Sequence, residues 1–330
     1  MTVISFPGLG IPEFSINPVA LNIFGLEIRW YGLIIVVGIL LAFLYACYRG
    51  REEGFTSDDM LDLFIYTVFF SVIGARAYYV LTSLDEYHSL WEAIAIWNGG
   101  LAIYGAILTG IVTIYIICRV KKKNFLCAFD MIAPGVMIGQ IIGRWGNFCN
   151  GEAFGDLSKF EFLGKTFATP GAEKLPWVME VNSYASGYVT TAVHPTFLYE
   201  SLWNLIGFLI INALYRKKKF HGQIFLMYIG WYGLGRAFIE GFRSDSLYVG
   251  NIKISQLVGV LGFILCVAVC TAVFIKKRVK PTVAGSLGVS VNADVKENPE
   301  KAKKSEKTED TQSTDKEENS KKETENGTDN

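Results

Sequence analysis

The chain has 330 residues, 51% of them hydrophobic, with a mean hydropathy of +0.31 and 31 basic residues balancing 31 acidic ones. That apolar content exceeds what an ordinary pair of soluble domains carries. A net charge of zero gives no sign of a nucleic-acid partner, so the information lies in where the charges sit.

In chain order, seven membrane spans are predicted: Trp30–Tyr48, Met60–Ser83, Leu101–Cys118, Phe129–Phe148, Thr196–Tyr215, Gln223–Phe242 and Ile254–Ile275. Each approaches the about 20 apolar residues that cross a bilayer. The fold class is therefore an all-α polytopic membrane protein. The fourth and sixth spans are weak by hydropathy, because glycines and polar residues interrupt them. No basic segment precedes the apolar residues at the N-terminus, so it does not read as a cleavable signal peptide. Basic residues follow the first span (Arg49, Arg51), the third (Arg119, Lys121, Lys122, Lys123), the fifth (Arg216, Lys217, Lys218, Lys219) and the seventh (Lys276, Lys277, Arg278, Lys280). Residues 85–98 carry none, and 151–194 carry Lys159, Lys165 and Lys174 alone. The positive-inside rule then places the N-terminus outside and the C-terminus in the cytoplasm.

Between the fourth and fifth spans, Gly151 to His194 is polar and punctuated by Gly and Pro. Its alternating runs Trp177–Val181 and Tyr188–Val193 predict a small strand-rich external cap. Residues 1–280 form the spanning domain in this reading. Residues 281–330 are dense in Lys, Glu, Ser, Thr and Asn, lack aromatics, and are expected to be a disordered cytoplasmic tail. Gly135, Gly139 and Gly143 repeat at four-residue spacing, and Gly105, Ala106 and Gly110 mark the third span; such residues let helices approach closely in lipid. Pro134-Gly135 is expected to bend or break the fourth span. The six cysteines show no C-x-x-C and read as small apolar packing residues.

The polar residues inside the spans carry the functional signal, since an ionisable group at bilayer depth costs at least ~2.5–3.5 kcal/mol. Gln140, Arg144 and Asn147 share one face of the fourth span, and Tyr232, Arg236, Glu240 and Arg243 share one face of the sixth. Asn150 and Glu152 follow where the fourth span ends. Two arginines at a similar depth suit a phosphodiester and a leaving phosphate. The structural alternative is a pair of neutralising contacts, Arg236–Glu240 and Arg144–Glu152. Tyr31 reads equally as an interfacial anchor or a site residue. Arg76 is expected to snorkel, and Asp130 to sit at the dipole-favoured start of its own helix. His194-Pro195 opens the fifth span, and Glu200 and Asn204 lie deeper, where a carboxylate needs a partner.

Together these residues resemble the bacterial prolipoprotein diacylglyceryl transferase family. The resemblance runs from about Asn17 to Lys280. It rests on G-R-W-G-N-F-C-N-G-E from Gly143, R-W-Y-G at Arg29, G-A-R at Gly74, H-P-T-F-L-Y-E at His194 and Y-G-L-G-R-A-F-I-E-G-F-R at Tyr232. It implies transfer of the diacylglyceryl group of phosphatidylglycerol to the lipobox cysteine of a prolipoprotein, giving a thioether and glycerol phosphate, in the bacterial cytoplasmic membrane. It implies no cofactor and no metal. By the same resemblance Arg144 and Arg236 bind the lipid phosphate and stabilise the leaving group. Asn147, Asn150 and Glu152 shape the headgroup site, and Tyr31, Tyr232 and Glu240 line the cavity.

One position departs from the family pattern. Many members carry a histidine after the G-G of the third span, where this chain has Tyr104. A neutral tyrosine with a pKa of ~10 is a poor base at neutral pH. The thiol, ordinarily at ~8.5, needs another base (Glu152, Glu240 or His194) or a positive field, or Tyr104 only orients substrate. Two other classes compete: an anion transporter, which the lack of an internal repeat disfavours, and a silent homologue that binds phosphatidylglycerol or signal peptides.

Overall fold

The computed structural model describes residues 2–87, 89–183 and 191–275. The expected tail and the start of the Tyr188–Val193 run lie outside them. Eight α-helices follow one another among the described residues: α1 (Trp30–Glu52), α2 (Ser57–Thr82), α3 (Leu90–Ile94), α4 (Ile103–Val120), α5 (Phe125–Asn150), α6 (Thr196–Leu214), α7 (Gln223–Ile239) and α8 (Ile254–Ile275). Six of them, α1, α2, α4, α5, α6 and α8, are long and apolar enough to cross a membrane. The stretch expected as the sixth span forms α7, whose 17 residues are shorter than those six and which is not among them.

α5 is the axis of the bundle. Half of its apolar window is buried, against 11% in α1 and α8, and it packs on α1, α4, α6 and α7. Asn124 caps its start by accepting from the Leu126 N–H at 2.9 Å. Gly151 ends it in the left-handed conformation, at φ 65°. The helix runs unbroken through Pro134, so the expected break does not occur; neighbouring helices surround the proline on this buried stretch.

Small residues act as expected between α2 and α4, where a Cβ on Gly105 would lie 2.3 Å from the Gly74 carbonyl oxygen. On α5 the stripe divides. A Cβ on Gly135 would meet the Ala42 carbonyl oxygen at 2.8 Å, whereas one on Gly139 or Gly143 would meet nothing within 4 Å. At those two glycines the space a side chain would take opens into a cavity.

Above the end of α5 lies a five-stranded antiparallel sheet in the order β2 (Ile11–Ile16), β1 (Thr2–Phe6), β8 (Met179–Ser183), β9 (Thr191–His194), β5 (Gly155–Asp156). The register pairs Val3 with Asn182 and Ile4 with Val181. The cap is thus not confined to residues 151–194, because the first residues of the chain supply two of its strands. Ile4, Phe6, Met179, Val181 and Phe197 close its core against α6. Three hairpins complete the strands: β3 (Val19–Ile23) with β4 (Leu26–Arg29), β6 (Lys159–Phe162) with β7 (Lys165–Ala168), and β10 (Tyr248–Val249) with β11 (Ile252–Lys253).

Two charged residues depart from their sequence reading. Arg76 does not snorkel. It is buried and donates to the carbonyls of Glu92, Ala93, Gly99 and Gly100 at 2.6–3.0 Å, latching the α3 segment onto α2. Asp130 serves the start of α7, not its own helix: its carboxylate accepts from the N–H groups of Gly222 (2.9 Å) and Phe225 (3.0 Å) and pairs with Lys218.

Candidate active site

Glu200, buried on the first turns of α6, is the hub of the polar residues. Its Oε2 lies 2.5 Å from Arg144 Nη2 on α5. Its Oε1 lies 3.0 Å from Arg236 Nη1 on α7 and 3.1 Å from Arg243 Nη1 just beyond it. Arg236 Nη2 also pairs with Glu240 at 2.6 Å, and Arg243 forms a two-bond fork with Asp245 at 2.9 and 3.1 Å. Three guanidinium groups thus meet three carboxylates, so the cluster is formally neutral. That neutrality is what allows such a density of charge where water is scarce.

Rigid contacts set these distances. Trp203 of α6 donates to the Trp231 carbonyl at 2.9 Å, and Trp231 of α7 donates to the Trp203 carbonyl at 2.8 Å, with the two indoles stacked at 4.6 Å. Gly207 and Gly235 make room for this clasp, since a Cβ at either would fall within 2.3 Å of the facing indole nitrogen. Ser201 donates to the Ile141 carbonyl at 3.1 Å and ties α6 to α5. Buried Lys253 donates to the carbonyls of Glu240 and Arg243 at 2.9 and 2.6 Å, which fixes the chain leaving α7.

The arginines differ in what they have left to give. Arg243 spends Nε and both terminal nitrogens on carboxylates, and Arg236 spends both of its terminal nitrogens. Arg144 spends one nitrogen on Glu200. With its side chain 20% exposed, it lines a cavity of about 630 Å³ between α1, α2, α4 and α5. Tyr31, Gln140 and Asn147 share that end of the cavity, while Ala46 and Met60 lie at its apolar far end. From Asn147 to Ile132, both of which line it, α5 rises about 22 Å.

The sequence-derived candidates do not form a single cluster. Arg144, Arg236 and Glu240 are brought together through Glu200. Asn147 and Asn150 both donate to Glu152 Oε1, at 3.1 and 3.2 Å, and brace the end of α5. Glu152 therefore does not pair with Arg144, and it lines a second cavity of about 490 Å³ under the cap, together with Asp156, Ser244 and Asp245. Tyr31 seats its ring on Gly146, and Tyr232 stacks on Tyr228, which accepts from Gln140 at 2.9 Å. Tyr104 stands apart, half-buried in the first turn of α4 and with no hydrogen bond from its hydroxyl among the described residues.

A family model described as prolipoprotein diacylglyceryl transferase matches residues 18–272. The chain belongs to this transferase family. Among its relatives, phosphatidylglycerol–prolipoprotein diacylglyceryl transferase 1 of Clostridium perfringens is 44% identical over 251 residues, covering 76% of this chain and 91% of the relative. Proteins named phosphatidylglycerol–prolipoprotein diacylglyceryl transferase from Lysinibacillus sphaericus and Clostridium kluyveri are each 41% identical. They cover 81% and 76% of this chain, and 95% and 94% of their own lengths.

Sequence reasoning put Arg243 on the polar face of the sixth span without giving it a role, and it missed Asp245 and the hub position of Glu200. The signal for Glu200 was its depth in an apolar helix, which demands a cation. For Arg243 it was the helical spacing that puts it on the face of Arg236 and Glu240.

Proposed function

We propose that this chain moves the diacylglyceryl group of phosphatidylglycerol onto the lipobox cysteine of a prolipoprotein, with Arg144 as the principal phosphate ligand. The observation that carries this reading is an apolar cavity ending at a guanidinium that retains free donors. An acyl chain fits the slot, and the phosphodiester meets the charge at its mouth.

The cysteine sulfur attacks the glyceryl carbon that bears the phosphate ester. A C–S bond forms, the C–O bond breaks with its electron pair leaving on oxygen, and glycerol phosphate departs. Negative charge grows on the phosphate as the bond opens. Arg144 follows that charge, while Glu200 holds its guanidinium in place and Arg236 and Arg243 hold Glu200. Asn147 and Asn150, braced by Glu152, orient the free glycerol end. The cavity under the cap, on the other side of the Asn147–Glu152 contact, is the exit for glycerol phosphate. The cysteine proton passes to solvent or to a substrate oxygen, since Tyr104 stands apart from the arginine–carboxylate cluster.

We place α7 as a seventh span, shorter than the rest because it packs against α5, α6 and α8. The N-terminus and cap then lie outside the cytoplasmic membrane, and the basic loops lie inside. The test is mass spectrometry of a lipobox peptide incubated with the purified protein and phosphatidylglycerol. A diacylglyceryl mass gain on cysteine, absent with Arg144→Ala, supports the assignment. No gain from folded protein that still binds the lipid favours a silent binding homologue.

A further inference from the structure

At the opposite end of the bundle, three segments bring unlike donors to one point. Glu53 follows the end of α1, Cys127 sits in the first turn of α5, and His221 lies in the connection before α7. A carboxylate oxygen, the Cys127 Sγ and a His221 ring nitrogen all lie within 4.8 Å of one another, with Sγ 3.0 Å from His221 Nδ1. Among the described residues no other three such side chains converge this closely. Along α5 the group is about 25 Å from Arg144.

We propose that Glu53, Cys127 and His221 form a binding site for a borderline-soft divalent cation of the zinc class. Thiolate, imidazole and carboxylate are the donors such an ion takes, and a fourth position remains for water. The surroundings hold the donors in place. Glu53 Oε1 accepts from the Tyr215 hydroxyl at 3.0 Å and from Lys218 Nζ at 2.5 Å, which leaves its other oxygen for the ion. Asp130, one turn beyond Cys127, grips the Gly222 and Phe225 N–H groups and so fixes the loop that carries His221. Cys127 is buried while His221 is exposed, giving the ion a way in.

Charge and size agree with this assignment. Glu53, Asp130 and a Cys127 thiolate carry three negative charges against the single positive charge of Lys218, and a divalent ion neutralises the remainder. Bonds of about 2.3 Å to sulfur and 2.0 Å to nitrogen at a tetrahedral angle separate the two donors by about 3.5 Å. Binding therefore opens the Cys127–His221 contact by about half an ångström, which the exposed ring accommodates. The cysteine proton is released to solvent as the metal–sulfur bond forms.

The test is titration of the full-length, tag-free, metal-stripped protein in detergent with Co²⁺, followed by Zn²⁺. The expected result is one equivalent of Co²⁺ with a thiolate-to-cobalt charge-transfer band, displaced by Zn²⁺ and abolished in Cys127→Ser. In His221→Ala, an exposed position, Co²⁺ affinity should fall by at least the about tenfold that even an outer-shell loss costs. No charge-transfer band in the wild type, or unchanged affinity in His221→Ala, overturns the site whatever becomes of the serine variant. The five other cysteines remain in every sample as internal controls.

Discussion

In the proposed reaction phosphate binding turns on Arg144, because its neighbours Arg236 and Arg243 have spent their terminal nitrogens on carboxylates. Arg144→Ala should lower the initial rate of lipobox-peptide modification by about 10²–10³-fold, the usual cost of one transition-state donor. Arg144→Lys should recover little, since an ammonium cannot reach Glu200 and a phosphate with one planar fork. Glu200→Gln acts differently. It leaves Arg144 without its carboxylate and takes one of two acidic partners from each of Arg236 and Arg243, and detergent thermal melts should show a loss on the order of 3–5 kcal/mol, the range for a broken buried pair. The need for a partner at Glu200 was legible in the sequence, but the identity of that partner was not. Glu152 lies closer to Arg144 along the chain, and only the packing of α6 on α5, tied by Ser201, decides which carboxylate is met.

Among the elements, the glycine stripe of α5 shows how a motif divides its work. Gly135 abuts the Ala42 carbonyl, so Gly135→Leu should lower the thermal midpoint. Gly139 opens into the cavity, so Gly139→Leu should leave the melt near wild type and raise the KM for phosphatidylglycerol by at least about tenfold through loss of slot volume. Paired melts and lipid titrations separate the two. Helical spacing put all three glycines on one face, but it carries no information on whether a neighbour or a cavity lies opposite. The same holds for Arg76. Its depth in the second span suggested snorkelling, while its four carbonyl partners come from residues 92–100, a segment whose fold the local sequence does not announce.

For the molecule as a whole, the bundle and the order of its helices were written in the hydropathy pattern and strands within residues 151–194 in its alternation, but the two N-terminal strands of the cap were not. The strand Thr2–Phe6 pairs with residues about 175 positions away, a partnership no local pattern encodes. Within that cap lies a titratable group with a global effect. His194 is buried, its Nδ1 faces the Tyr199 hydroxyl at 3.1 Å, and its Nε2 has no partner among the described residues. Burial pushes its imidazolium below the usual 6.5, and Asp156 opposes this only in part. The folded state then binds fewer protons than the unfolded chain. The associated stability is full above pH about 6.5 and is lost as pH falls below it. Melts between about pH 8 and pH 5.5 should show this decline, and His194→Gln should flatten it.

The pairing of Thr2–Phe6 with Met179–Ser183 also orders the protein's biogenesis in time. The first strand leaves the ribosome without its neighbour, which follows some 175 residues later; at about 5–20 residues per second the wait is about 9–35 seconds. During that interval four long helices must insert, and both strands must reach the same side of the membrane before the sheet can close. A bulky fusion at the N-terminus is therefore attached to a late-closing edge, and a C-terminal fusion leaves that step alone.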